Sequence, residues 1–141
     1  MEINSQLRGC IQAPLAAVYD TRADPSRFPS WSSEVIEAVA LSEGVYRLKV
    51  MDFPPVNQVL VTKLELVESP YVLGWHSLDH PGANFKSRVQ LVRVESATRY
   101  VIEVGSEPQG ALAQAGYLVV GEPDKILRRF FADLKGHLEK A

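Results

Sequence analysis

The chain of 141 residues has a single cysteine, only two methionines and two tryptophans, and almost no excess of either charge. With Cys10 alone, no disulfide can close within the chain, which fits a reducing compartment. Fifteen Lys plus Arg against seventeen Asp plus Glu leave a net charge of -2, which offers no basic footprint for a nucleic-acid backbone. A nucleic-acid partner is therefore not expected. Long apolar runs are missing too: PLAAVY and YLVV fall far short of the roughly 18 residues that a membrane span needs. The opening MEINSQLRGC lacks the positive start and apolar stretch of a secretory signal, so a cytoplasmic protein is the expectation. The patterns G-x-G-x-x-G, G-x-x-x-x-G-K, G-x-S-x-G and H-E-x-x-H do not occur. Nucleotide-dependent and common hydrolase chemistries lose their main support, and no cofactor is expected.

What is present is ordinary globular material: 46% apolar and 23% charged residues, in a length that suits one domain over residues 1–141. Ile3 to Gln12 alternate as a first strand, with Ile3, Leu7 and Ile11 on one side. Pro14 opens a helix carrying Leu15, Val18 and Tyr19, and Asp24-Pro25 stops it, because the residue before proline is pushed out of the α region. RFPSW reads as a second short helical turn or a loop. From Ser33 the period drops to two. Six strands follow: Val35 to Leu41, Val45 to Phe53, Gln58 to Val67, Tyr71 to Leu78, Phe85 to Val94 and Arg99 to Ser106. Turn residues separate them and no helix intervenes, so a consecutive antiparallel meander is the economical topology. The segment ALAQAGYLVVG reads as a helical turn or a loop. From Pro123, a stripe of Ile126, Leu127, Phe130, Phe131, Leu134 and Leu138 faces away from Lys125, Arg128, Arg129, Asp133, Lys135 and Glu139, which predicts a long amphipathic helix.

The phrases IQAPLAAVYD, DPSRFPSW, LGWHS, FKSRVQLVRV, ATRYVIEV and ILRRFFADLKGHLE, in this order, resemble the polyketide cyclase/dehydrase and lipid-transport group of the START-related superfamily. The resemblance implies an α+β helix-grip fold. In it, a seven-stranded curved antiparallel sheet wraps around a long C-terminal helix, with two short helices between strands 1 and 2 and a hydrophobic cavity between sheet and helix. It also implies binding of lipids, sterols, quinones or polyketides, with catalysis in only some members. No catalytic residue is common to that superfamily, so none is carried over.

Alternation turns one face of each strand inward. This nominates Tyr46, Leu48, Val50, Leu60, Leu64, Leu66, Leu73, Trp75, Phe85, Val89, Leu91, Tyr100, Ile102 and Val104, facing Leu127, Phe130 and Phe131 of the last helix. The polar interruptions are Asp52, Thr62, Ser77, Ser87, Ser106 and the phenols of Tyr46 and Tyr100. A small, mostly hydrophobic ligand with one or two polar handles fits such a lining. Asp52 is the ionisable group that alternation turns inward; it is a general-base candidate, or an exposed strand-end carboxylate that satisfies turn N–H groups. His76 and His80 with Asp79 have the donor types of a metal site, but their spacing suits a helix and not a strand and turn, so no metal is expected. His137, Arg128 and Arg129 read as solvated helix positions, and Cys10 as passive. Trp31 reads as a core plug; Trp75 serves equally as plug or stacking platform.

Three functions follow. The first is a carrier or sensor of a small hydrophobic molecule. The second is an aromatic polyketide cyclase or dehydratase using Asp52, Tyr46, Tyr100 or His76. The third is an interaction module whose cavity is well below the ~300 Å3 of ordinary ligand pockets. A monomer or homodimer is compatible with each.

Overall fold

The structure, a computed structural model, describes residues 3–53, 56–77, 83–108 and 123–140, with side chains over 6–49, 61–65, 68–76, 86–105 and 127–140. The first strand, β1 (Ile3–Ile11), leads through Pro14 into α1 (Leu15–Arg22). Asp24 then leaves the helical region, and Pro25–Ser30 form a 3-10 helix that starts on the proline ring, whose fixed φ and missing N–H suit a first turn. Six strands follow: β2 (Val35–Ser42), β3 (Val45–Phe53), β4 (Val56–Glu68), β5 (Val72–Ser77), β6 (Ala83–Val94) and β7 (Ala97–Pro108). The chain closes on α2 (Pro123–Glu139). The segment ALAQAGYLVVG, the turn at Pro54-Pro55, and Asp79 and His80 lie outside the described residues.

All seven strands form one antiparallel sheet in the order β1-β7-β6-β5-β4-β3-β2. The meander from β2 to β7 is consecutive, and β1 returns to pair with β7 over its whole length, from Ile3 opposite Ser106 to Ile11 opposite Thr98. This is the helix-grip arrangement expected from the sequence. Register fixes which side chains share a face: Leu64 stands opposite Trp75, Trp75 opposite Ser87, Leu73 opposite Val89, Val89 opposite Ile102 and Leu91 opposite Tyr100. Slipping any strand by one residue would turn its apolar set to solvent.

The inner face carries two apolar clusters. Ile11, Ala13, Val18, Leu73, Val89, Leu91, Tyr100, Ile102, Phe131 and Leu134 form the larger, and Phe28, Val35, Leu48 and Trp75 the smaller, with Leu64 and Trp31 touching both. Each fully buried aliphatic or aromatic side chain contributes about 1.5–3 kcal/mol. The strand β2 departs from simple alternation. Only Val35 is buried, while Ile36, Val39 and Leu41 are exposed, as suits a strand at one edge of the sheet.

The helix α2 is held from two sides. On one side Asp133 accepts hydrogen bonds from the Ser33 backbone N–H (2.8 Å) and hydroxyl (2.7 Å), and one turn earlier Arg129 pairs with Glu34. On the other, Lys135 donates to the Cys10 carbonyl (2.9 Å) and Glu139 accepts from the Gln12 N–H (2.8 Å). Between these fastenings Phe131 lies over Gly9, where a Cβ would stand 2.5 and 2.7 Å from the ring's Cε atoms. Glycine permits this approach of strand and helix. The grip is therefore tight along the C-terminal half of α2.

Candidate functional site

The inner face is built from positions that alternation selects. Leu48, Leu73, Trp75, Val89, Tyr100 and Ile102 are buried, as is Phe131; Tyr46, Leu64, Leu127 and Phe130 are partly buried against them. Tyr100 and Phe131 stack with ring centroids 5.3 Å apart, which fills the space beneath the C-terminal half of α2. Beside this pair, Phe28 stands in the middle of an aromatic group. Its ring is 5.1 Å from Trp31, 5.5 Å from Phe130 and 6.2 Å from Trp75, and Tyr46 lies 6.4 Å from Trp75 on the far side. The edge-on geometry of Phe28 to Trp31 and Phe130 is the arrangement that ring quadrupoles favour.

Arg22 lies at the seam of the two clusters. It is the last residue of α1, only 6% exposed, and its Nε donates to the Tyr100 hydroxyl at 3.0 Å. The guanidinium carbon sits 5.0 Å from the centroid of Phe130, 5.4 Å from Trp75 and 5.5 Å from Phe28. Three aromatic faces thus surround one cation. Among the described residues no carboxylate lies within ion-pair distance of it.

Three further donors near this group are also buried without a partner among the described residues: Trp75 Nε1, Trp31 Nε1 and Thr62 Oγ1. Thr62 stands opposite Tyr46 and one inward step from Leu64, so it faces the same side as Trp75. Buried polar atoms without a partner are rare in folded proteins and call for an explanation at each occurrence. Glu34 is buried as well; its Oε1 receives Arg129, while Oε2 has no partner among the described residues.

Other candidates fall elsewhere. His76 lies on the outer face of β5, half-buried, with Nδ1 3.4 Å from the Glu65 carboxylate, because it alternates with the inward Trp75. It does not join the inner group. The side chains of Val50, Asp52 and Phe85 lie outside the described residues. Among the described residues no group of three or more His, Cys, Asp or Glu could hold a metal. His137 is exposed and stacks on Trp31 at 6.2 Å. Arg128 is exposed, as expected, but Arg129 is not simply solvated, since it reaches the buried Glu34. A hollow of about 870 Å3 lies on the outer, polar face, over Gly74 and Gly105 between Glu65, His76, Lys86, Arg88 and Glu103. It is an open trough on the opposite side of the sheet from Arg22.

Sequence reasoning missed Arg22 and Glu34. Arginine at a helix C-terminus ordinarily favours the dipole and points to water, and nothing local marks this one as buried. The nearest available signal was the density of aromatic residues downstream in RFPSW and LGWHS.

No protein-family model matches the chain, and no curated protein matches it. Solved structures do. A conserved protein from Geobacillus kaustophilus superposes with a TM-score of 0.81 at 16% identity, over 98% of this chain and 96% of that one. The Zhui aromatase/cyclase from a Streptomyces species gives 0.84 at 14% identity, over 99% and 95%. A START superfamily protein from Mycobacterium smegmatis gives 0.78 at 14% identity, over 99% and 97%. At these identities the likeness is one of fold. Together with the strand order and the closing helix, it shows that the chain has the helix-grip fold of these structures.

Proposed function

We propose that this protein binds a small hydrophobic ligand on the inner face of the sheet, beside Phe130 of α2, as a carrier or sensor. The observation that carries this reading is a set of buried donors on an otherwise apolar face: Trp75 Nε1 and Thr62 Oγ1, which have no partner among the described residues, together with the guanidinium of Arg22, whose Nε is taken by Tyr100. Small-molecule sites combine an apolar lining with a few convergent polar groups, and a bound molecule would give these donors their acceptors. Cytoplasmic residence and a monomeric or homodimeric state belong to the same reading. Native mass spectrometry and thermal-shift measurement with lipids, quinones and aromatic polyketides test it. Binding of at least one class is expected; no binding to any would sink it.

A second reading is an aromatic polyketide cyclase or dehydratase. It is supported by the Arg22–Tyr100 pair, which brings a phenol hydroxyl against a cation inside the apolar face, and by the fold likeness to an aromatase/cyclase. Asp52 remains the proposed base. Turnover of an aromatic polyketide that survives both Asp52→Asn and Tyr100→Phe unchanged would remove this reading.

A further inference from the structure

We infer that the ligand of this inner face is an organic anion: an apolar, ring-bearing molecule with one carboxylate or equally acidic oxygen group, which the Arg22 guanidinium receives. The inference rests on the ligand-binding reading above and names the class of molecule.

Arginine keeps its charge at any ordinary pH and presents five N–H donors in a planar fork. Here one donor, Nε, is used by the Tyr100 hydroxyl. The rest of the fork, and the whole positive charge, meet no carboxylate among the described residues. A lysine or histidine in such a place could lose its proton, but a guanidinium cannot, so its charge must be met by its surroundings. The faces of Phe28, Trp75 and Phe130 meet it in part, at 5.0–5.5 Å. Cation–π contacts are worth on the order of 2 kcal/mol when desolvated, well short of the desolvation cost of an ion.

The neighbouring atoms that have no partner among the described residues bias the site in the same direction. Trp75 Nε1 can only donate, and Thr62 Oγ1 has a hydroxyl proton to give. A surplus of donors around a fixed cation selects an acceptor-rich, negatively charged group, and a carboxylate matches the guanidinium fork in two parallel hydrogen bonds. The rings around Arg22 then select the rest of the molecule, because flat apolar surface packs edge-on or offset against Phe28, Trp75 and Phe130. A neutral lipid or sterol would bring the guanidinium no charged acceptor beyond those of the described residues, which supply none.

The test compares 2-naphthoate with 2-naphthalenemethanol and methyl 2-naphthoate, by isothermal titration calorimetry on the wild-type protein and on Arg22→Met. The acid is expected to bind on the order of tenfold more tightly than either neutral analogue, the effect of one charge-assisted pair in a dry site. In Arg22→Met that preference should disappear, the acid losing about tenfold more affinity than either neutral analogue. Equal binding of acid and neutral analogues by the wild type, or an acid preference that persists in Arg22→Met, overturns the inference and leaves the broader ligand-binding reading standing. Failure of all three probes and of the lipid and quinone panel removes both. Should Arg22→Met fail to fold, the wild-type comparison alone decides, and Arg22→Lys, which keeps the charge but not the fork, should retain a weakened preference for the acid.

Discussion

The position of Gly9 shows how one missing side chain places a helix. The strand β1 presents Leu7, Gly9 and Ile11 inward, and only the absence of a Cβ lets the Phe131 ring lie directly on the backbone. Gly9→Ala should destabilise the fold by about 1–3 kcal/mol, the usual cost of overpacking a filled core, and thermal or urea unfolding would read it. If Gly9→Ala is neutral, α2 is free to lift away from β1. The inward identity of Tyr46, Leu48, Trp75, Tyr100 and Ile102 was legible residue by residue, because a period of two is a local property of the chain. Arg22 was not legible: its partner Tyr100 lies 78 residues away, and the packing of α1 against β6 and β7 brings the two together.

At the scale of the element, α2 owes its orientation to contacts that a helical wheel does not reveal. Arg129 reads as part of the polar stripe, yet it neutralises Glu34, whose side chain is only 2% exposed. Arg129→Ala would leave that carboxylate buried without its cation. Since Arg129 is itself half-exposed, the loss should be about 2 kcal/mol, below the 3–5 kcal/mol typical of a fully buried pair. Glu34→Gln in the Arg129→Ala background should recover part of it, as a double-mutant cycle would show. Gly136 offers the opposite case. It sits inside α2, and a Cβ there would meet nothing within 4 Å. Gly136→Ala should therefore stabilise the protein by about 1 kcal/mol through helix propensity and lost unfolded-state entropy, seen as a higher urea midpoint with an unchanged slope. The amphipathic stripe and the start of α2 at Pro123 were readable; its partners were not, since Ser33, Glu34 and Cys10 lie 100, 95 and 125 residues from the helix residues they meet.

Across the whole molecule, the two ends of the sequence are tied together at Gln12 and Glu139. The Gln12 backbone N–H, and after it the Lys135 ammonium, hold the Glu139 carboxyl below its ordinary value of 4.5. A carboxyl whose folded value is depressed stabilises the fold above its unfolded value, and this contribution is lost as pH falls through the folded one. Melting temperatures of wild type and Glu139→Gln should therefore differ most above about pH 5 and converge well below 4.5. A difference that is constant with pH would break the link between this carboxyl and the β1–α2 contact. At this scale the strand count, the meander and the closing helix followed from the sequence, because turn residues and the change of period mark each boundary. The closeness of the grip did not, since packing depends on contacts such as Phe131 over Gly9 that no periodicity encodes.

Both tryptophans of the chain stand against the same phenylalanine, Phe28, one on the exit of the 3-10 helix and the other on β5. Tryptophan emission from this protein thus originates in a single neighbourhood, next to the guanidinium. Any molecule that enters there would register as a change in brightness or colour without an added dye, and the native chain is its own optical probe.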